Sequence, residues 1–113
     1  MRDDEERLQD VLESIQLLEK YLSGSKELYG LNELEFMGVV RCVEVIGEAC
    51  RYLSDELRSK YPNVPWRDIS NMRNILTHQY FNVDTEKVEI VIKQDIPKLK
   101  IEIEKIIRVM KPK

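Results

Sequence analysis

The sequence predicts an all-α fold, an antiparallel bundle of four to five helices, on three observations. Apolar residues recur at spacings of three and four along most of the chain, the interval that lines one face of a helix. Leu, Ile, Glu and Lys are abundant, whereas there are only four glycines and four prolines, a balance that favours helices over sheets. No alternating apolar–polar pattern of useful strand length occurs, and no internal repeat or low-complexity segment. At 113 residues the chain is expected to be one domain, residues 1–113, with a single modest core.

The first helix is expected from about Asp3 to Leu22, because Leu8, Val11, Ile15, Leu18 and Leu22 form one stripe on an otherwise charged rod. Ser23-Gly24-Ser25 breaks it, and Tyr29-Gly30 marks a loop. The second helix opens with Asn32 as N-cap and Glu35 three residues later, a capping-box pattern. Phe36, Val40, Val43 and Ile46 make one row, and Met37, Val39, Val45, Ala49, Cys50 and Leu53 broaden it. A helix apolar over so much of its circumference is central to the bundle, or it also faces a partner subunit. The chain loosens near Leu53-Ser54, with a short helical turn expected through Leu57.

Two prolines make Tyr61-Pro62-Asn63-Val64-Pro65 a loop. Pro65 is suited to the first turn of a third helix, whose row is Trp66, Ile69, Met72 and Leu76 and which should reach about Tyr80. Asn82-Val83-Asp84-Thr85 reads as a turn and N-cap, followed by a fourth helix from about Thr85 to Ile92. Asp95 and Pro97 then open a fifth, striped by Ile96, Leu99, Ile103, Ile106 and Met110.

Composition narrows the setting. No stretch approaches the roughly 18 uninterrupted apolar residues of a membrane span, and the acidic N-terminus lacks a signal-peptide core, so a cytoplasmic protein is expected. Cys42 and Cys50 lie eight residues apart on one helix, about 12 Å along its axis. A disulfide needs Cα atoms within about 7 Å, so these two cannot pair with each other and read as small core hydrophobes. The net charge of −3 is uneven. Residues 1–56 carry six basic and fourteen acidic side chains, and residues 57–113 carry twelve and seven. Solvated helix faces account for such a pattern; an anion site in the C-terminal half also accounts for it.

Most catalytic patterns are missing. The chain has no glycine-rich phosphate loop, no nucleophile elbow and no cysteine–histidine cluster, so neither a cofactor nor a metal site is expected. The informative stretch is Met72-Arg73-Asn74-Ile75-Leu76-Thr77-His78-Gln79-Tyr80-Phe81. At about 100° per residue, with Arg73 as origin, Thr77 falls near 40°, Asn74 near 100°, His78 near 140° and Tyr80 near −20°. One half of the helix thus offers a permanent cation, an amide, a hydroxyl, an imidazole and a phenol, while the apolar row points largely elsewhere. Alone, this spacing also fits a histidine acting as dipole partner at a helix end, an ion-paired arginine and a packed tyrosine. Glu44 and Glu48, four apart on the second helix, share a face and read either as partners of Arg41 or Arg51 or as carboxylates near the same cleft.

The chain around these residues, from Val64-Pro65-Trp66 through His78-Gln79-Tyr80-Phe81, resembles the motif helix of HepT-like proteins, members of the HEPN class of helical domains. Val40-Arg41-Cys42-Val43-Glu44-Val45-Ile46-Gly47-Glu48-Ala49 resembles a second conserved segment of that family, and the acidic first helix and the closing Asp95-Ile96-Pro97-Lys98-Leu99 helix fit as well. The resemblance covers nearly the whole chain, and the Arg-x4-His-x-Tyr pattern is complete.

The resemblance implies a homodimer that brings two motif helices to a shared cleft, with Arg73 and His78 as the catalytic pair of a metal-independent endoribonuclease. It implies a supporting role for Asn74, and Glu48 as a carboxylate that orients Arg73. It also implies a toxin neutralised by a cognate nucleotidyltransferase antitoxin that transfers AMP onto Tyr80. Two other readings share the same residues: a non-catalytic helical dimer that binds its nucleotidyltransferase, and a nucleotide-binding domain in which Arg73, Asn74 and His78 hold phosphates.

Overall fold

In the computed structural model, residues 3–22, 31–77 and 89–111 are described, with 73–77 described as backbone only. Five α-helices occur among them: α1 (Asp4–Tyr21), α2 (Glu33–Arg51), α3 (Asp55–Lys60), α4 (Trp66–Thr77) and α5 (Ile96–Met110), the last preceded by a π-helical turn, Val91–Asp95. No strand occurs among the described residues. The expected all-α bundle is what forms.

Side-chain caps set the helix starts. Asn32 Oδ1 accepts from the Glu35 N–H at 2.8 Å while Glu35 Oε1 accepts from the Asn32 N–H at 2.9 Å, the reciprocal pair expected at the start of α2. The same box opens α1 between Asp3 and Glu6, one residue inside the expected start. Ser54 caps α3, its Oγ accepting from the Leu57 N–H at 3.1 Å.

Long-range contacts give the direction of each helix. Asp4, at the start of α1, accepts from both the Ser54 N–H at 2.9 Å and the Ser54 hydroxyl at 2.5 Å, just beyond the end of α2. At the other end of α1, the Tyr21 hydroxyl donates to Glu35 at 2.9 Å. These contacts set α1 and α2 antiparallel. Ion pairs Glu5–Lys111 at 2.8 Å and Glu19–Lys100 at 2.9 Å set α1 and α5 antiparallel in turn. The central member is α2, packed against α1 on one side and α4 on the other. Ser54 therefore joins a cap to an interhelix tie, and Ser54→Ala should cost about 1–2 kcal/mol of stability, measured by urea unfolding.

The core follows the expected stripes. Leu8, Val11, Ile15 and Leu18 of α1 are buried against Val39, Val40, Val43, Ile46, Ala49 and Cys50 of α2, with Trp66, Ile69 and Met72 from α4 and Ile96, Leu99, Ile103 and Ile106 from α5. No charged or polar residue is buried among the described residues. Both cysteines are free. Burial pushes the Cys50 thiol up to about 12. Partial burial raises Cys42 as well, with Arg41 opposing the shift. Both are neutral thiols near pH 7, consistent with hydrophobic filling.

The expected break between a fourth and a fifth helix is not seen. Residues 89–90 are helical and run through the π turn into α5 without interruption. Asp95 has helical backbone angles and makes no side-chain cap, so it does not open a helix. Pro97 has no N–H, and its ring crowds the carbonyl four residues back. The wider turn, in which the Ile96 N–H bonds to the Val91 carbonyl, accommodates the proline without a stop. The expected start of that helix at Thr85 lies outside the described residues.

Candidate active site

The motif helix α4 is anchored firmly at its start. The Trp66 indole is buried in the core and its Nε1 donates to the Tyr61 carbonyl at 3.0 Å, tying the helix to the loop that precedes it. Pro65 stands immediately before the first helical residue, its carbonyl accepting from the Ile69 N–H at 3.0 Å. The Ser70 hydroxyl donates back to the Trp66 carbonyl at 2.8 Å. Asn63, in the same loop, donates to Glu102 on α5 at 3.3 Å. With Trp66, Ile69 and Met72 buried, the rotation of α4 about its axis is fixed before the motif is reached.

Arg73 and Asn74 stand in the later turns of α4, whose backbone is helical through Thr77. Their side chains lie outside the described residues, as do His78 and Tyr80 entirely. Glu48 is on the exposed side of α2 and has no ion-pair partner among the described residues. Glu44 is mostly covered and pairs with Arg41 at 3.4 Å, as one of the two readings of these carboxylates expects. Among the described residues no group of three or more His, Cys, Asp or Glu is placed to hold a metal ion.

One feature of this face was not read from the sequence. Arg51 at the end of α2, Arg58 on α3 and Arg67 on α4 line a common groove of about 830 Å³ with Ser70 and Asn71. The basic excess of residues 57–113 includes Arg58 and Arg67 but not Arg51, and no local pattern marks the three. The groove's assembly from three helices could not be seen without the fold.

Antiparallel helices packed around a central α2, with Arg73 and Asn74 on a helix lodged against it, define a HEPN-like helical bundle. Residues 11–106 match the family model described as "Ribonuclease HepT-like", and the chain belongs to that family. It is 32% identical over 109 residues to "Probable ribonuclease HepT" of Thermococcus cleftensis, covering 93% of this chain and 96% of that one. It is 44% identical over 73 residues to "Putative RNase MJ1380" of Methanocaldococcus jannaschii, covering 65% of this chain and 67% of that one. A third relative, "Gamma-glutamylcyclotransferase and putative RNase MJ0434" of the same organism, is 43% identical over 100 residues, 88% of this chain but 45% of its own length. The chain thus spans about half of that two-part protein. No solved structure matches the chain.

Proposed function

We propose that this protein is a metal-independent endoribonuclease, the toxin of a toxin–antitoxin pair, acting through Arg73 and His78. The observation that carries this reading is the complete Arg-x4-His-x-Tyr pattern, which begins at Arg73 on α4, in a chain that belongs to the HepT-like ribonuclease family.

RNA supplies its own nucleophile, the 2′-hydroxyl, so cleavage asks the protein only for proton transfer and charge stabilisation. His78 takes the proton from the 2′-oxygen as it attacks phosphorus, since an imidazole with a pKa of about 6.5 exchanges protons readily near neutrality. Arg73 is always cationic, and its forked donors hold the non-bridging oxygens as negative charge builds. Asn74, next to the arginine, orients the phosphate or the imidazole, and Glu48 orients Arg73. The 5′-oxygen leaves with a proton, which in a homodimer the second copy's histidine supplies. The purified chain should cleave RNA in EDTA, and His78→Ala and Arg73→Ala should each lower the rate by about a hundredfold or more. A folded chain that cuts nothing would turn the reading toward a helical binding module.

Tyr80 is the regulatory position in this reading, the acceptor of AMP from a nucleotidyltransferase antitoxin. An adenylyl phosphate two residues from His78 competes for the same cationic groups as the RNA phosphate. Incubation with the nucleotidyltransferase and ATP should raise the mass by whole AMP units and silence cleavage. Tyr80→Phe should remain unmodified and active, and a mass gain in that variant would move the site elsewhere.

A further inference from the structure

The groove at the junction of α2, α3 and α4 has no part in the chemistry described so far. It is open to solvent, occupies about 830 Å³ and is lined, among the described residues, by three guanidinium groups and a single carboxylate. That carboxylate, Asp55, is paired with Arg58 within α3 and is almost wholly exposed, so water screens much of its charge. Arg58 Nε is buried without a hydrogen-bond partner among the described residues, which leaves this guanidinium under-used by its pairing. Arg67 is exposed and forms no ion pair among the described residues. Arg51 lies against the Tyr52 ring, 5.7 Å from its centroid, a contact that holds the side chain without neutralising it. The Ser70 proton is committed to the Trp66 carbonyl, so Ser59 and Asn71 are the neutral side chains that can donate there.

The chain as a whole is acidic, and all of its acidic excess lies in residues 1–56. A concentration of three arginines in one groove therefore runs against the overall charge, and a positive cleft of this kind concentrates anions. Its direction is also informative. Arg67 and Asn71 are four apart on α4, and Asn74 follows after three more residues, so helical spacing places the three positions in one row. Arg67 precedes Asn74 by about 10 Å along the axis, and in the sequence His78 stands four residues further on. The groove thus lies along α4, upstream of the motif.

We propose that Arg51, Arg58 and Arg67 form a phosphate-binding subsite that holds the backbone of an RNA strand on its way to the motif end of α4. The proposal rests on the ribonuclease reading for its choice of ligand. Contacts of this type supply affinity and register and carry no base specificity.

The test uses the full chain in the His78→Ala background, so that RNA stays intact. A fluorescent single-stranded oligoribonucleotide is titrated in EDTA at several salt concentrations, with and without Arg51→Ala and Arg67→Ala together. Both arginines are exposed, and equal thermal unfolding of the variants shows that the fold is kept. The double variant should bind about tenfold more weakly at low salt. Its slope of log affinity against log salt should be shallower by about 1.4, roughly 0.7 for each lost phosphate contact. Lysine at both positions should largely restore the slope. In the chain with His78 intact, the double change should raise KM for long RNA and leave cleavage of a dinucleotide, too short to reach the groove, unaltered.

Unchanged affinity and slope in the double variant, or no measurable RNA binding by the parent, overturns the subsite. Cleavage that persists beside an unchanged slope removes the subsite and keeps the nuclease. RNA held through these arginines by a chain that cuts nothing keeps the subsite and removes the nuclease.

Discussion

Replacing His78 with alanine should lower kcat for RNA cleavage on the order of 10²- to 10⁴-fold, the usual contribution of a positioned proton-transfer group. It is the only histidine in the chain, so the chain has no second imidazole to take over. Arg73→Ala should cost on the order of 10²- to 10³-fold, by analogy with loss of one donor to a developing anion. Arg73→Lys should recover only part of this, because an ammonium keeps the charge but lacks the two-pronged geometry that matches a phosphate. Neither change should move the unfolding midpoint by more than a degree or two, since neither residue belongs to the apolar stripes. Single-turnover cleavage with RNA saturating separates the chemical step from binding. Cleavage by His78→Ala at the rate of the unaltered chain would remove the histidine from the mechanism.

The second large effect concerns the scaffold. Ile46 is fully buried at the middle of α2, the helix that touches both α1 and α4. Ile46→Ala removes buried methyl and methylene groups and leaves a cavity that the surrounding helices can only partly close, at a cost of about 2–5 kcal/mol. For a domain of this size each kcal/mol is worth about 4 °C of melting temperature, so the midpoint should fall on the order of 10 °C or more. Met37→Ala, on the same helix but 41% exposed, should cost far less, within about 1 kcal/mol. Thermal scans of both variants at one protein concentration make the comparison, and equal shifts would mean that α2 is not the centre of the core.

The helices were legible because their stripes and caps are local. Leu8 to Leu18 on α1 and Ile96 to Ile106 on α5 recur at helical intervals and are buried, whereas the last members of the two expected stripes, Leu22 and Met110, are partly buried and exposed where the helices end. The Asn32–Glu35 box needs only two residues at the right spacing. The region before α5 misled for an equally local reason: Asp95 and Pro97 form the usual pair of start signals. What decides there is the backbone's ability to widen by one residue, a property the pattern of side chains does not express.

The site divides in the same manner. The motif residues fall within eight positions of one another and stand out in the sequence, and the packing of α4 is carried by the apolar Trp66, Ile69 and Met72. Arg51, Arg58 and Arg67 gave no such signal. Each is an ordinary surface arginine in its own segment, and only the return of α4 along α2, with α3 between them, brings the three to one groove. Glu44 and Glu48 share a face of α2 as their spacing predicts, but spacing does not express how far each is covered: Glu44 is largely covered beside Arg41 while Glu48 is exposed.

The central claim, that the Arg73–His78 pair cuts RNA by activating its own 2′-hydroxyl, is tested most directly with two matched oligonucleotides in excess EDTA. One is all ribose, and the other carries a single 2′-deoxy sugar at the mapped cleavage position. The account predicts that the ribose strand is cut, leaving a 2′,3′-cyclic phosphate, and that the deoxy position is spared. Cleavage that stops in the chelator, or that proceeds equally at the deoxy sugar, would contradict it.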